Sequence, residues 1–167
     1  VRVYGNVMFP STSDGGDINW VQKLVQQNSN GSFPGADALI KVAKHYRFDG
    51  WFINQETEGG NEELANDTIA FLQYIRENSN VEIMWYDAMD IYGDVSYQNQ
   101  FDNLNSPFLI QSDSSLVSGK ERTVTPGANS IFINYMWDQT MLVNSNTYAN
   151  EIDIFPIKSI FAGIQVN

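Results

Sequence analysis

The stretch "FDGWFINQETEGG", residues 48–60, begins as an apolar run and ends in an amide, a carboxylate and a pair of glycines. "GWFI" reads as a buried strand, and Asn54 and Glu56 stand two residues apart where it stops. Side chains alternate along a strand, so these two share a face, about 6–7 Å apart along the chain. Phe52 joins that face one layer below, as an apolar floor. Trp51 falls on the opposite parity, as does Trp85 in the next strand, and both are expected to pack under helices.

Upstream, "VRVYGNVMF" (1–9) reads as a strand, rich in Val and aromatics. "PSTSDGGD" is a loop. Asp17 is placed to cap a helix carrying Trp20, Val21, Leu24 and Val25 on one face. After the break "NSNGSFPG", Leu39, Val42, Ala43 and Tyr46 recur at helical spacing. Downstream, Asn61 is a cap, with Glu62 and Glu63 in the first turn, where the helix dipole favours them. Leu64, Thr68, Phe71, Leu72 and Ile75 form that helix's buried stripe.

"VEIMWYD" (81–87) is the next strand. "VSYQNQFDNLN" reads as a short helix or loop, and "PFLIQ" (107–111) as a short strand. Residues 112–129 are polar and turn-rich, an insertion or surface hairpin. "SIFINYMWD" (130–138) is a strand, 140–150 a weak helix, and "SIFAGIQV" (159–166) a further strand. Strands thus alternate with helices and are continuously apolar, the pattern of a parallel sheet covered by helices. Polar residues gather where strands end: Asn54 and Glu56, then Tyr86 and Asp87, then Asn134 and Trp137. A (β/α) barrel and an open doubly wound sheet both bind ligands at that end, so the ends alone leave both architectures open. The G-x-G-x-x-G turn of a dinucleotide site is absent, which argues against a nucleotide-binding α/β domain.

Composition narrows the function classes. The 167 residues fit one domain, and 43% hydrophobic with 17% charged residues is a globular composition. A net charge of −11, with nine scattered Lys and Arg, disfavours nucleic acid and an anionic membrane surface. No apolar run reaches membrane-spanning length. Zero Cys excludes disulfides and Cys-ligated metals. His45, flanked by Lys44 and Tyr46, reads as a surface or packing residue, and the spacing of Asp87, Asp90 and Asp94 is not that of a calcium loop. The sequon triplets at Asn30 and Asn66 are patterns that arise by chance in an Asn-rich chain. Ten Phe, eight Tyr and four Trp beside 20 acids suit a sugar-binding protein as well as an aromatic core. The chain begins at Val1 within a strand pattern and is expected to be a piece of something longer.

An apolar floor disfavours the charged form of a carboxyl group, and a protonated Glu can deliver a proton to a glycosidic oxygen. Glycosidases usually pair two carboxylates. No second one shares this strand face; Asp87 is the nearest candidate, and Glu58 has the same parity but lies in the following loop. In substrate-assisted enzymes the sugar's own 2-acetamido group is the nucleophile, and an amide such as Asn54 can orient it by hydrogen bonding. The plain alternative is that Asn54 and Glu56 merely end a strand and enter a turn.

"DGWFINQETEG" resembles the signature of glycoside hydrolase family 85, the endo-β-N-acetylglucosaminidases, whose G-[WY]-[FL]-[IL]-N-x-E strand carries the catalytic Asn and Glu. Those positions are Asn54 and Glu56. "VYGNVMFP" is similar to the family's early V-x-G-x-x-F strand, "MWYDAM" to its W-Y-D-S strand, "FINYMW" to its F-x-N-Y-x-W strand, and "FAGIQV" to its [YA]-x-G-[IV]-D-V strand. The resemblance spans nearly the whole chain in order. It implies an active-site tyrosine at Tyr86 and substrate-lining Asn134, Tyr135 and Trp137. Two positions depart from the pattern. Tyr97, in "SYQNQF", stands where the family usually has Trp, and offers less area for stacking on a sugar. Gln165 stands where the family has Asp.

The resemblance implies a (β/α)8 TIM barrel, incomplete here, with residues 1–167 its central portion and the first strand and last two missing. Such a piece is expected to need a partner chain, a swapped copy or unusual packing at its strand edges. The implied reaction is hydrolysis of the GlcNAcβ1-4GlcNAc core bond of N-glycans with retention. Glu56 acts as acid and then base, Asn54 holds the acetamido group, and Tyr86 hydrogen-bonds near it. Tyr97, Tyr135, Trp137, Asn134 and Phe52 line the subsites, with no metal or cofactor. The rival class is a catalytically inactive glycan-binding barrel. The expected setting is extracellular or on a bacterial cell surface, with the cytoplasm as the alternative.

Overall fold

A computed structural model describes residues 1–110 and 127–165. Among these residues, five strands form one parallel sheet in the order β1 (Tyr4–Phe9), β2 (Gly50–Gln55), β3 (Glu82–Tyr86), β4 (Ser130–Ile133) and β5 (Ile160–Ala162). Helices α1 (Ile18–Leu24) and α2 (Pro34–Tyr46) connect β1 to β2, and α3 (Glu62–Asn78) connects β2 to β3. The short α4 (Ser106–Leu109) follows β3, while α5 (Gln139–Glu151) and α6 (Pro156–Ser159) connect β4 to β5.

Strand order follows chain order without reversal, and every pair is parallel. A doubly wound sheet reverses its order at a switch point and carries helices on both faces. Here the strand side chains of the apolar core come from one face only: Trp51, Ile53, Ile83, Trp85, Ile131 and Ile133, with Val7, Phe9 and Ile160 packed against them. Trp51 Nε1 donates to the Leu39 carbonyl of α2 at 3.1 Å, and Trp85 stacks on Phe108 of α4 with ring centroids 4.5 Å apart. The two tryptophans therefore lie under helices, as their parity predicts. The other face carries Asn6, Met8, Phe52, Met84, Phe132 and Phe161, all partly or well exposed. A sheet wound in one direction with helices on one side is an arc of a (β/α)8 barrel, whose inner face this is.

The expected caps are present. Asp17 accepts from the Asn19 N–H and Asn61 from the Leu64 N–H, both at 2.9 Å. The whole stripe Leu64, Thr68, Phe71, Leu72 and Ile75 is buried. Several local expectations are corrected. Trp20, Val42 and Tyr46 are exposed; Val21 and Val25 are buried on the α1 side, and Ala36, Ile40 and Ala43 are the buried residues of α2. The strand expected at 107–111 is corrected over its described part: residues 106–109 are helical, with Pro107 in the first turn, where its missing N–H costs nothing, and Gln111 lies outside the described residues. The β4 strand ends at Ile133 and β5 at Ala162, so Asn134, Tyr135 and Trp137 stand on the connection after β4. The insertion expected at 112–129 lies outside the described residues except for 127–129.

Candidate active site

Glu56 leaves the sheet at a firmly held point. Its N–H donates to the Phe9 carbonyl at 2.9 Å, extending the β1–β2 pairing by one residue. The next residue, Thr57, is buried and donates its hydroxyl to the Pro10 carbonyl at 2.6 Å. Beneath this turn lies Gln55, 1% exposed on the helix side. Its amide donates to the Thr57 carbonyl at 2.8 Å and accepts from the Thr57 N–H at 3.0 Å. A buried amide satisfied in both directions fixes the turn that aims Glu56. Glu58, two residues on, is exposed and accepts from the Thr12 N–H and hydroxyl at 2.7 and 2.8 Å. Those bonds hold its carboxyl below the usual range and tie it to the loop after β1.

Asn54 and Glu56 share the inner face and touch. Asn54 Nδ2 donates to Glu56 Oε1 at 2.7 Å, and the Tyr97 hydroxyl donates to Oε2 at 2.9 Å. Asn54 Oδ1 is buried and has no hydrogen-bond partner among the described residues. Phe52 forms the floor one layer down, its ring centroid 5.8 Å from Tyr86 and 5.5 Å from Phe132. Tyr86 follows directly on the Ile53–Trp85 register pair, so it stands beside Asn54. Its hydroxyl donates to Asn134 Oδ1 at 2.7 Å. Burial, and secondarily the Glu56 charge, pushes the Tyr86 phenol up; burial and the hydrogen bond to Glu56 push Tyr97 up. Both phenols therefore keep their protons near neutral pH.

The second carboxylate suggested by sequence, Asp87, is 1% exposed and turned away from Glu56 into a polar knot. Asn105 Nδ2 and the Gln98 N–H donate to Oδ1 at 2.9 and 3.3 Å. The Asn99 and Asn134 N–H groups donate to Oδ2 at 2.8 and 3.4 Å. Burial pushes Asp87 up to about 6 against the pull of these donors. The knot binds the end of β3 to the loop 97–105 and to the start of the β4 connection. Asn99 adds a bridge the sequence did not suggest: its Oδ1 accepts from Asn134 Nδ2 at 2.8 Å and from the Met136 N–H at 3.2 Å. Its φ of 57° is the left-handed conformation that Asn tolerates better than most residues.

Tyr86, Tyr97, Asn134 and Phe52 thus gather around the Asn54–Glu56 pair. Tyr135 and Trp137 stand farther along the rim. Tyr135 is 46% exposed, its ring 5.8 Å from Phe132. Trp137 donates its indole N–H to the Gly163 carbonyl at 2.6 Å, latching the β4 connection to the end of β5. Gln165 follows β5. Among the described residues, no group of three or more His, Asp or Glu could hold a metal ion, and no helix is long and apolar enough to cross a membrane.

Residues 1–167 match the sequence profile of glycosyl hydrolase family 85. The mouse cytosolic endo-beta-N-acetylglucosaminidase is 26% identical over 141 residues, 77% of this chain and 17% of the mouse protein. The Arabidopsis thaliana cytosolic endo-beta-N-acetylglucosaminidase 2 is 28% identical over 109 residues, 63% of this chain and 13% of that protein. Among solved structures, the glycoside hydrolase domain of Endo-D from Streptococcus pneumoniae superposes with a TM-score of 0.81 at 29% identity, covering 99% of this chain and 25% of that one. The chain therefore spans a small part of the length of these proteins. The names of the curated relatives lend no support to an extracellular or cell-surface setting and are compatible with a cytosolic one.

Proposed function

The chain belongs to glycosyl hydrolase family 85, and from that premise we propose that it is the central part of a catalytic barrel that hydrolyses the GlcNAcβ1-4GlcNAc core bond of N-linked glycans with retention. The observation that carries this reading is the Asn54–Glu56 hydrogen bond of 2.7 Å at the C-terminal end of the sheet, above an aromatic floor. Glu56 donates a proton to the leaving glycosidic oxygen, then takes one from water. No second carboxylate is needed on that face if the substrate's acetamido oxygen attacks the anomeric carbon, giving an oxazoline that water opens. Asn54 suits the orienting role, because its Oδ1 has no partner among the described residues and, turned toward the cleft, accepts the acetamido N–H. Tyr86, protonated and anchored on Asn134, lies beside that position. Phe52, Tyr97, Tyr135 and Trp137 supply apolar and stacking surface for sugar rings, and Asn134 is a polar group on the same lining, held by Tyr86 and Asn99.

The β1 and β5 edges are where a further segment or a second copy adds. The test is release of glycan from a glycoprotein bearing high-mannose chains, using the protein that carries this segment. Glu56→Gln removes the proton to be donated, and release is expected to fall by at least about 100-fold with the fold intact. Glycan bound by both forms and released by neither would favour a non-catalytic binding barrel instead.

A further inference from the structure

We propose that Tyr97 is a positioning residue for Glu56, its phenol hydroxyl holding the carboxylate that forms when Glu56 gives up its proton. The proposal rests on reading Glu56 as the acid and base, and replaces the expectation that Tyr97 serves only as a platform for a sugar ring. In its observed place the hydroxyl is spent on Glu56 Oε2 at 2.9 Å. The two Glu56 oxygens are divided between two donors of different kinds. Asn54 Nδ2 on Oε1 is an amide that can only donate; Tyr97 on Oε2 is a rotor that can donate or accept.

The ring has little freedom. It meets Tyr86 edge-on at 6.3 Å, the Tyr97 backbone carbonyl accepts from Asn99 Nδ2 at 3.0 Å, and the next two backbone N–H groups are fixed on buried Asp87. Asp87 therefore reaches Glu56 through Tyr97. As the proton passes from Glu56 to the leaving oxygen, the Tyr97 hydrogen bond changes from neutral to charge-assisted and strengthens. Tyr97 keeps its own proton throughout. An interaction that strengthens along the reaction raises turnover without tightening substrate binding.

The titratable groups facing Glu56 are Tyr97 from the loop after β3 and Tyr86 from β3. Asp87 stands behind Tyr86, and Glu58 beside the Tyr97 side. Neither phenol loses its proton near neutral pH.

Tyr97→Phe keeps the ring and deletes the hydroxyl. Steady-state release from a high-mannose glycopeptide is followed between pH 5 and 9, with Glu56→Gln as the control and unfolding midpoints for all forms. Tyr97→Phe is expected to lower kcat about 10-fold across this range and leave KM within about twofold. An unchanged kcat, or a change confined to KM, would make the residue a sugar platform and overturn the proposal while leaving the Glu56 reading intact. Full activity in Glu56→Gln would overturn both.

Discussion

Asp87→Asn tests the knot beneath the site in a way that separates charge from hydrogen bonding. The Asp87 carboxyl sits at about 6 when folded, against an ordinary 3.8, because burial outweighs its donors. The folded state therefore holds the proton more tightly than the unfolded chain. The stability this contributes is complete below about pH 3.8 and is lost as pH rises through about 6. At about 1.4 kcal/mol per unit, the whole window is worth about 3 kcal/mol, and the part between pH 5 and 7.5 about 1.4 kcal/mol. Asn cannot titrate, so that component disappears. The amide also brings an NH2 group that must face two donors whichever way it turns: Asn105 Nδ2 and the Gln98 N–H, or the Asn99 and Asn134 N–H groups. One strong and one weak bond are lost in either pose, a pH-independent cost of about 2–4 kcal/mol. Urea unfolding of both proteins at pH 5 and pH 7.5 measures the gap between them, and titrations common to both cancel. The gap is expected to be about 1.4 kcal/mol wider at pH 5. A gap equal at the two pH values, or wider at pH 7.5, would refute the assignment of the titration to Asp87.

Other outcomes follow from single contacts. Asn61→Ala removes the cap on the Leu64 N–H and is expected to cost about 1 kcal/mol in denaturant unfolding, with activity per folded molecule unchanged. Trp137→Phe deletes the bond to the Gly163 carbonyl; about 1 kcal/mol of stability and faster amide hydrogen exchange at residues 160–163 are expected. Gly93→Ala places a Cβ 2.3 Å from the Asn61 backbone at a φ of 84°, so a loss above about 1 kcal/mol is expected in the same unfolding assay.

The parts of the site that obey local rules were legible in sequence. Strand alternation is a period-2 property, so Phe52, Asn54 and Glu56 could be put on one face, and Trp51 and Trp85 on the other. Polar strand ends marked the edge at which the Asn54–Glu56 pair stands, but choosing barrel over doubly wound sheet needed strand order, which no local pattern contains. The Asp87 knot was not legible. Its donors, Gln98, Asn99, Asn105 and Asn134, lie up to 47 positions away and meet only because the loop folds back over β3. Periodicity marked helical stripes but misjudged their edges: Trp20, Val42 and Tyr46 lie just off the buried arc. In sequence Tyr97 reads as a ring, whereas its hydroxyl's partner depends on the path of that same loop.

One measurement addresses the Asn54–Glu56 chemistry most directly: the anomeric configuration of glycan released at early times, followed by proton NMR before mutarotation. A single acid/base carboxylate with the acetamido group as nucleophile displaces twice at the anomeric carbon, so the β anomer is expected first. Initial release of the α anomer would require direct attack by water activated by a second carboxylate, and would contradict the roles given to Asn54 and Glu56.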